Sequence, residues 1–318
     1  MSQATLQQAL DLINAGRVDE GVQMLRVVAS SRDPQAMYAL ARLTWSGNMV
    51  PQDPARGRLL FEYAAGLGHG PANVLVTNLL ASGIAGRRDW TMAVERLAVE
   101  GRQLPDRLAA LKLIEAMDLD SSGDPRATPE AVRLSDEPDA RIFKGLLTSA
   151  ECSYLISAAE PLFQPSMVYD DSGQEVRDPI RTSDGAGIYW LIEDPAIHAL
   201  NRRIAKATRT TYDQGEPLQA LRYVPGQEYR PHFDYLEAVD NPRPWTALIY
   251  LNDDYEGGAT RFVKTGLDVR GNTGDVLVFG NAGAGGKRDP LSEHAGLPVT
   301  AGTKYLATRW IRERRWIP

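Results

Sequence analysis

The chain of 318 residues holds only four histidines: His69, His198, His232 and His294. His232 stands two residues before Asp234 in the run Pro231-His232-Phe233-Asp234-Tyr235. Residues two apart on a strand point to the same face, so an imidazole and a carboxylate would project together. That pair suits a divalent metal ion. A second imidazole from a distant strand, His294, would complete a two-histidine, one-carboxylate face and leave the opposite positions open for substrate and oxygen. A His-x-Asp triplet alone is compatible with an ordinary histidine beside an aspartate, so context has to decide. His198, on a predicted helix, and His69, at a predicted turn, lack partners at ligand spacing and read as structural.

The elements that must position these groups begin near residue 140. The run "ARIFKGLL" alternates well enough for a strand. Thr148-Ser149-Ala150-Glu151 has the spacing of a capping box and predicts a helix through about Leu162. Asp194-Pro195 opens a second predicted helix, with Ile197, Leu200 and Ile204 on one face. After Pro217 come the strand-like runs "LQALRYV", "YRPHFDYL", "TALIYLND", "ATRFV", "GDVLVFGN" and "KYLATRWI", separated by turn residues. Many short strands behind two helices predict a β-sandwich or jelly roll with supporting helices.

In this context the chain resembles the prolyl-4-hydroxylase family of 2-oxoglutarate oxygenases over about 170 residues, from Leu146 to the end. The resemblance rests on "LRYVPGQEYRPHFDY", "WTALIYLND", "YEGGATRF", "GDVLVF" and "HAGLPVTAGTKYLATRWI", in that order. Two positions depart from the family pattern: Ala259, where Glu is usual, and Tyr305, where Trp is common. Neither is a ligand. The resemblance implies Fe(II) held by His232, Asp234 and His294, with 2-oxoglutarate and O2 consumed and succinate and carbon dioxide released. It also suggests ascorbate as an accessory. Lys304, ten residues after His294, would hold the far carboxylate of the cosubstrate by a charge-assisted hydrogen bond. A lysine there, rather than an arginine, favours the prolyl-hydroxylase branch. Tyr223 matches the tyrosine that hydrogen-bonds the same cosubstrate. Arg181 and Ser183 of "IRTS", with Glu216, Tyr229 and Arg243, fall on positions expected to line a polar, peptide-sized groove. Retention of Asp234 argues for hydroxylation rather than halide chemistry. The glycine-rich run "NAGAGGKRDPLSE" reads as a rim loop.

Residues 1–118 have a different pattern. Apolar residues recur at helical spacing, as in Leu10 and Ile13, then Val22, Leu25 and Val28. The run Ala36-Met37-Tyr38-Ala39-Leu40 is echoed 36 residues later from Ala72, Asp53 recurs as Asp89 after 36, and Asp19 precedes Asp53 by 34. Gly16, Gly47 and Gly83 punctuate the units. This resembles the Sel-one-like branch of the tetratricopeptide-type repeats, with two to three units and the best at residues 33–70. Such helical pairs must stack to bury their apolar faces. The resulting surface would dock a peptide or protein substrate, or only brace its neighbour. Residues 119–139, rich in Ser, Asp, Pro and Gly, read as a linker, either free or packed on a domain surface, to an oxygenase domain at 140–318. The expected class is α+β in two domains, a helical solenoid followed by a double-stranded β-helix.

Composition sets outer bounds. Hydrophobic residues at 43% and charged residues at 24% are ordinary for a globular chain. A net charge of −6 argues against nucleic acid as the main partner. No apolar run approaches the roughly 20 residues of a membrane span, and the N-terminus lacks a signal pattern. The single cysteine, Cys152, excludes an intramolecular disulfide. A soluble cytoplasmic protein is expected. Arg312, Arg314 and Arg315 read as a solvated tail. The leading expectation is a peptidyl-proline 4-hydroxylase. The alternatives are the same chemistry on a free amino acid or other small substrate, and a repeat scaffold whose oxygenase domain binds ligands without turnover.

Overall fold

A computed structural model describes residues 5–169 and 175–316. Two compact units emerge: the described residues up to Lys112 with Trp190–Pro195, and Leu113–Tyr189 with the residues from Ala196 onward.

Seven helices lead the chain: α1 (Leu6–Asn14), α2 (Val18–Ser30), α3 (Pro34–Ser46), α4 (Pro54–Gly66), α5 (Gly70–Ser82), α6 (Trp90–Glu100) and α7 (Pro105–Ala116). The starts of α2, α4 and α6 fall at a strict interval of 36 residues, as do those of α3 and α5. Local chemistry sets this period. Asp33, Asp53, His69 and Asp89 cap α3, α4, α5 and α6 by accepting a backbone N–H three residues on. Gly47 and Gly83 end α3 and α5 in the left-handed region, with φ of 76° and 72°. Leu25, Phe61 and Leu97 share one repeat position and are fully buried. At Gly57 a Cβ would meet the Trp45 backbone at 3.0 Å, so α3 and α4 touch there through a residue without a side chain. The counterpart of Asp53 in the first unit is Arg17, which makes no side-chain cap. The 34-residue spacing to Asp19 was therefore a coincidence of type, since Asp19 lies inside α2. A further shared position, held by Val27, Tyr63 and Val99, is 54%, 65% and 60% exposed.

The second unit begins before the expected domain boundary. Of the two forms the sequence left open for residues 119–139, the packed one is observed. Asp120 accepts the backbone N–H of Ser122 and Asp124, a turn built from the residues that suggested flexibility. Asp124 pairs with Arg202, and Lys206 Nζ donates to Pro125 O and Arg126 O at 2.5 and 2.9 Å. β1 (Ala131–Ser135) then pairs antiparallel with β2 (Ala140–Phe143). The capping box at Thr148 and Glu151 opens α8 (Ser149–Ala159), which gives way to a 3₁₀ turn over the last residues to Leu162. Next come β3 (Gln164–Pro165), β4 (Met167–Tyr169), β5 (Glu175–Arg177), β6 (Asp184–Ile188) and α9 (Pro195–Thr208). The remaining strands are β7 (Leu218–Tyr223), β8 (Tyr229–His232), β9 (Trp245–Tyr250), β10 (Glu256–Gly257), β11 (Thr260–Phe262) and β12 (Asp268–Val269), then β13 (Val276–Gly280), β14 (His294–Gly296), β15 (Val299–Ala301) and β16 (Lys304–Ile311).

The main sheet has eight strands in the order β1-β2-β13-β9-β16-β7-β6-β3, and a smaller sheet has the order β12-β11-β14-β8. β9 and β13 are buried on both faces, which explains their continuous apolar runs. One face packs Ala247, Ile249, Val276 and Val278 against Leu155, Ile197, Leu200 and Ile204 of α8 and α9. Cys152 is fully buried in this layer, where burial and the nearby Glu151 push its thiol up to about 12. The other face packs Leu248, Tyr250, Leu277 and Phe279 with Phe262 and Val269 of the small sheet. The jelly roll is thus two sheets around one apolar layer, and the residues expected to do chemistry lie at one end of it.

Candidate metal centre and active site

The antiparallel register of the small sheet sets His294 directly opposite His232. β8 ends at His232, so Asp234 lies just past the strand rather than on it. It still converges. Its Oδ1 is 3.8 Å from His232 Nε2 and its Oδ2 is 3.6 Å from His294 Nε2. The ligand atoms of the three residues all lie within 4.8 Å of one another. His232 Nδ1 sits 2.8 Å from Arg230 O, and His294 Nδ1 sits 2.9 Å from Ser292 O. A carbonyl only accepts, so both Nδ1 atoms carry a proton and both Nε2 atoms face the centre. Burial and the neighbouring His294 push His232 down to about 4, so its imidazole is neutral at neutral pH. Burial opposes ionisation of Asp234, but the two histidines and the Thr246 hydroxyl outweigh it and hold the carboxyl below its ordinary range. Two imidazole Nε2 atoms and a carboxylate converging on one point fit a divalent iron ion.

The main sheet supplies the second half of the site by another cross-strand pair, Lys304 opposite Tyr223. Lys304 is 2% exposed, and its ammonium donates to Gly258 O at 2.7 Å. No described carboxylate pairs with it. Burial, with the added repulsion of Arg270, brings it down to about 7. A buried cation without an acid partner suits an anionic ligand. Tyr223 packs its ring 5.5 Å from Lys304 Nζ, shares a hydrogen bond with Ser183 and is pushed up to about 12 by burial. Leu221, Leu248 and Leu306 line the space between this pair and the triad.

The remaining expected residues divide into two groups. Tyr229 and Arg181 line the cavity: Tyr229 stacks on His232 with ring centroids 3.4 Å apart, and the Arg181 guanidinium sits 5.5 Å from the Tyr229 ring. Ser183, Glu216 and Arg243 do not line it. Ser183 is fully buried behind Tyr223, within 3.5 Å of Ser166 Oγ. Glu216 is held by Arg243 at 2.5 and 2.7 Å and by Arg312 at 2.5 Å. These two arginines use the carboxylate that was expected to meet substrate. Arg312 is only 6% exposed and so is not part of a solvated tail. The Arg243 guanidinium lies 4.1 Å from the Trp310 ring, and Trp310 does line the cavity. The expected rim loop is a pinned hairpin: Tyr235 Oη donates to Gly286 O at 2.5 Å, and Arg288 sits 4.3 Å over the Phe233 ring.

Spacing did not reveal two residues. Thr246 Oγ1 donates to Asp234 Oδ2 at 2.7 Å, and Asn281 Nδ2 donates to Thr246 Oγ1 at 2.8 Å. The available signal was composition: each is a small polar side chain at the end of a largely apolar strand run. His69 and His198 are structural, as expected. His69 Nδ1 accepts the Ala72 N–H, its Nε2 lies 3.0 Å from Gln35 Oε1, and His198 is fully buried on α9.

A jelly roll with a two-histidine, one-carboxylate centre and a buried cation nearby defines a non-haem iron oxygenase that uses a 2-oxo acid. The family model and the curated relatives agree. Residues 218–312 match the 2OG-Fe(II) oxygenase superfamily. The chain is 35% identical over 206 residues to "Prolyl 4-hydroxylase 1" of Arabidopsis thaliana, covering 58% of this chain and 72% of that one. Among solved structures it is similar to a viral collagen prolyl hydroxylase from Paramecium Bursaria Chlorella virus-1 in its 2-oxoglutarate complex. There the identity is 28% and the TM-score 0.43, over 54% of this chain and 95% of the other. A Sel1 repeat protein from Oxalobacter formigenes is 22% identical with a TM-score of 0.26, over 30% of this chain and 38% of the other. The chain belongs to the prolyl 4-hydroxylase family, and it is a 2-oxoglutarate-dependent dioxygenase that uses Fe(II) and O2.

Proposed function

We propose that the enzyme hydroxylates proline within a peptide or protein, with the helical repeats docking part of that substrate. One observation carries the catalytic reading: the convergence of two cross-strand pairs, His232 with His294 and Lys304 with Tyr223, on one cavity. The relatives, named as prolyl 4-hydroxylases, support the proline specificity. Bound iron with 2-oxoglutarate and O2 supplies the oxidising chemistry, which ends in succinate, carbon dioxide and a hydroxylated carbon.

The chain's own residues bind, orient and exclude. His232, Asp234 and His294 would hold the iron through two imidazole nitrogens and a carboxylate. Lys304 anchors the far carboxylate of the cosubstrate and thereby sets its direction along the cavity. The Tyr223 hydroxyl, shared with Ser183, adds a second contact at that end. Leu221, Leu248 and Leu306 keep water from the space between, which strengthens each charge interaction there. Arg181 and Tyr229 stand on the wall beside His232, where a peptide backbone would meet a guanidinium and an aromatic face. Docking is supported by the aligned apolar residues Val27, Tyr63 and Val99, which recur at one repeat position and stay exposed.

The test is a library of proline-containing peptides incubated with Fe(II), 2-oxoglutarate and air, read by mass spectrometry. A gain of one oxygen on proline is expected. Consumption of 2-oxoglutarate with no oxygenated peptide would move the assignment to a small substrate.

A further inference from the structure

We infer that Thr246 and Asn281 form a directed hydrogen-bond relay that fixes the rotation of Asp234, making both of them positioning residues for the metal centre. The inference rests on the oxygenase reading above. The Thr246 side chain is fully buried, as is that of Asn281, and Asp234 is 5% exposed. The two contacts are short, 2.7 Å from Thr246 Oγ1 to Asp234 Oδ2 and 2.8 Å from Asn281 Nδ2 to Thr246 Oγ1.

The direction of the relay follows from donor and acceptor chemistry. An ionised carboxylate only accepts, so the single Thr246 proton must point at Asp234. The hydroxyl oxygen then has lone pairs to offer, and the Asn281 amide must turn its NH2 group toward them. This leaves Asn281 Oδ1 buried without a hydrogen-bond partner. An amide oxygen left unmade in the interior is unfavourable. The structure accepts that penalty to keep the NH2 group on the threonine.

Asn281 is also fixed along its backbone. Its N–H donates to Pro244 O at 2.8 Å, and its carbonyl accepts the Asp289 N–H at 2.9 Å, closing the root of the glycine-rich hairpin. That hairpin in turn grips Phe233 through Arg288 and Tyr235 through Gly286 O, the two residues flanking Asp234. Asp234 lies beyond the end of β8, where no ladder holds it. The relay and the hairpin replace the missing strand. With the carboxylate locked, Oδ1 faces His232 and Oδ2 faces His294.

The experiment measures Mn(II) binding to the full chain by electron paramagnetic resonance of the free ion, with thermal unfolding of each metal-free variant alongside. The wild type should bind one Mn(II). If it does not, the oxygenase reading itself fails and the relay question falls with it. Thr246→Val, close in shape but without a donor, should weaken Mn(II) about 10- to 100-fold, the usual range for loss of a ligand's hydrogen-bond partner. Thr246→Ser keeps the hydroxyl and should restore binding to within about threefold of wild type. Asn281→Asp sets a second carboxylate against the one Thr246 proton, and should weaken binding more than Asn281→Leu does. Mn(II) affinity unchanged in Thr246→Val would overturn the relay. So would equal loss in the valine and serine variants, because that pattern reports packing rather than a proton. Should Thr246→Val not fold, the ordering of the two Asn281 variants decides.

Discussion

Each unit of this protein buries cations, and two of them, Arg58 and Lys304, are kept in opposite ways. In the helical unit Arg58 is 5% exposed and fully used. It donates to the carbonyls of Leu79, Ile84 and Arg87 at 2.9–3.1 Å and pairs with Glu62 at 3.0 Å. In the jelly roll Lys304 has one carbonyl, no acid among the described residues and a repelling arginine. The histidines divide in the same way. His69 engages both ring nitrogens within the helical unit, whereas His232 and His294 keep one lone pair free. Polar groups that satisfy one another hold a fold. Groups held in place but left short of partners are where a ligand gains most.

The largest test of this contrast sets histidine against histidine. His232→Ala should lower succinate formation from 2-oxoglutarate by at least about 100-fold, to background, since losing a ligand exceeds losing a ligand's support. His69→Ala should leave turnover per folded molecule unchanged and lower stability by about 1 kcal/mol through loss of the helix cap. Comparable turnover in the two variants would erase the distinction.

The cations give the next effect, with opposite signs. Lys304→Met should raise KM for 2-oxoglutarate about 10- to 100-fold, the value of a charge-assisted hydrogen bond. It should leave stability unchanged or higher by about 1 kcal/mol, because a poorly compensated buried charge is removed. Arg58→Met should do the reverse, with turnover kept and about 3 kcal/mol of stability lost as three carbonyls lose their donor. Chemical denaturation and steady-state kinetics on the same samples separate the two.

A smaller effect depends on pH. Lys304 lies at about 7 in the folded protein against an ordinary value of 10.5. Above pH 7 the free enzyme increasingly holds a neutral amine, so cosubstrate binding must take up a proton and its affinity falls as pH rises, by at most about tenfold per unit. Across the same window, from 7 to 10.5, the unfolded chain binds the extra proton, so this lysine makes stability rise with pH. Calorimetry in buffers of different ionisation heat should detect the proton uptake, and Lys304→Met should abolish it.

The smallest expected change concerns the exposed repeat position. Tyr63→Asp with Val99→Asp should raise KM for a protein substrate a few-fold, about 1 kcal/mol for two rim contacts. Turnover of a short proline peptide should not move. Equal kinetics on both substrates would reduce the helical unit to a brace.

Legibility in the sequence followed the range of the interactions. The capping box at Thr148, the αL glycines at 47 and 83 and the strand of Lys304 act within a few residues, and each was readable. The triad was readable because its two halves lie in distinctive local runs. What escaped notice depends on distant partners. Glu216 meets Arg243 and Arg312 only after three strands have assembled, so a carboxylate and a guanidinium that read as facing substrate are turned toward each other. The turn residues of 119–139 read as a linker because composition records the turns and not the contact with α9. Thr246 and Asn281 are ordinary residues in ordinary strands until the fold brings Asp234 beside them.

The chain's only cysteine bears on the enzyme's durability. A catalyst that activates oxygen beside its own side chains exposes them to misdirected oxidation whenever substrate is missing. Cys152 lies fully buried on the core face of α8, with its thiol held at about 12, so almost no thiolate exists at neutral pH for an oxidant to attack. Inactivation during idle cycles should therefore pass through the iron ligands or the aromatic wall, leaving the thiol intact by the time activity is gone.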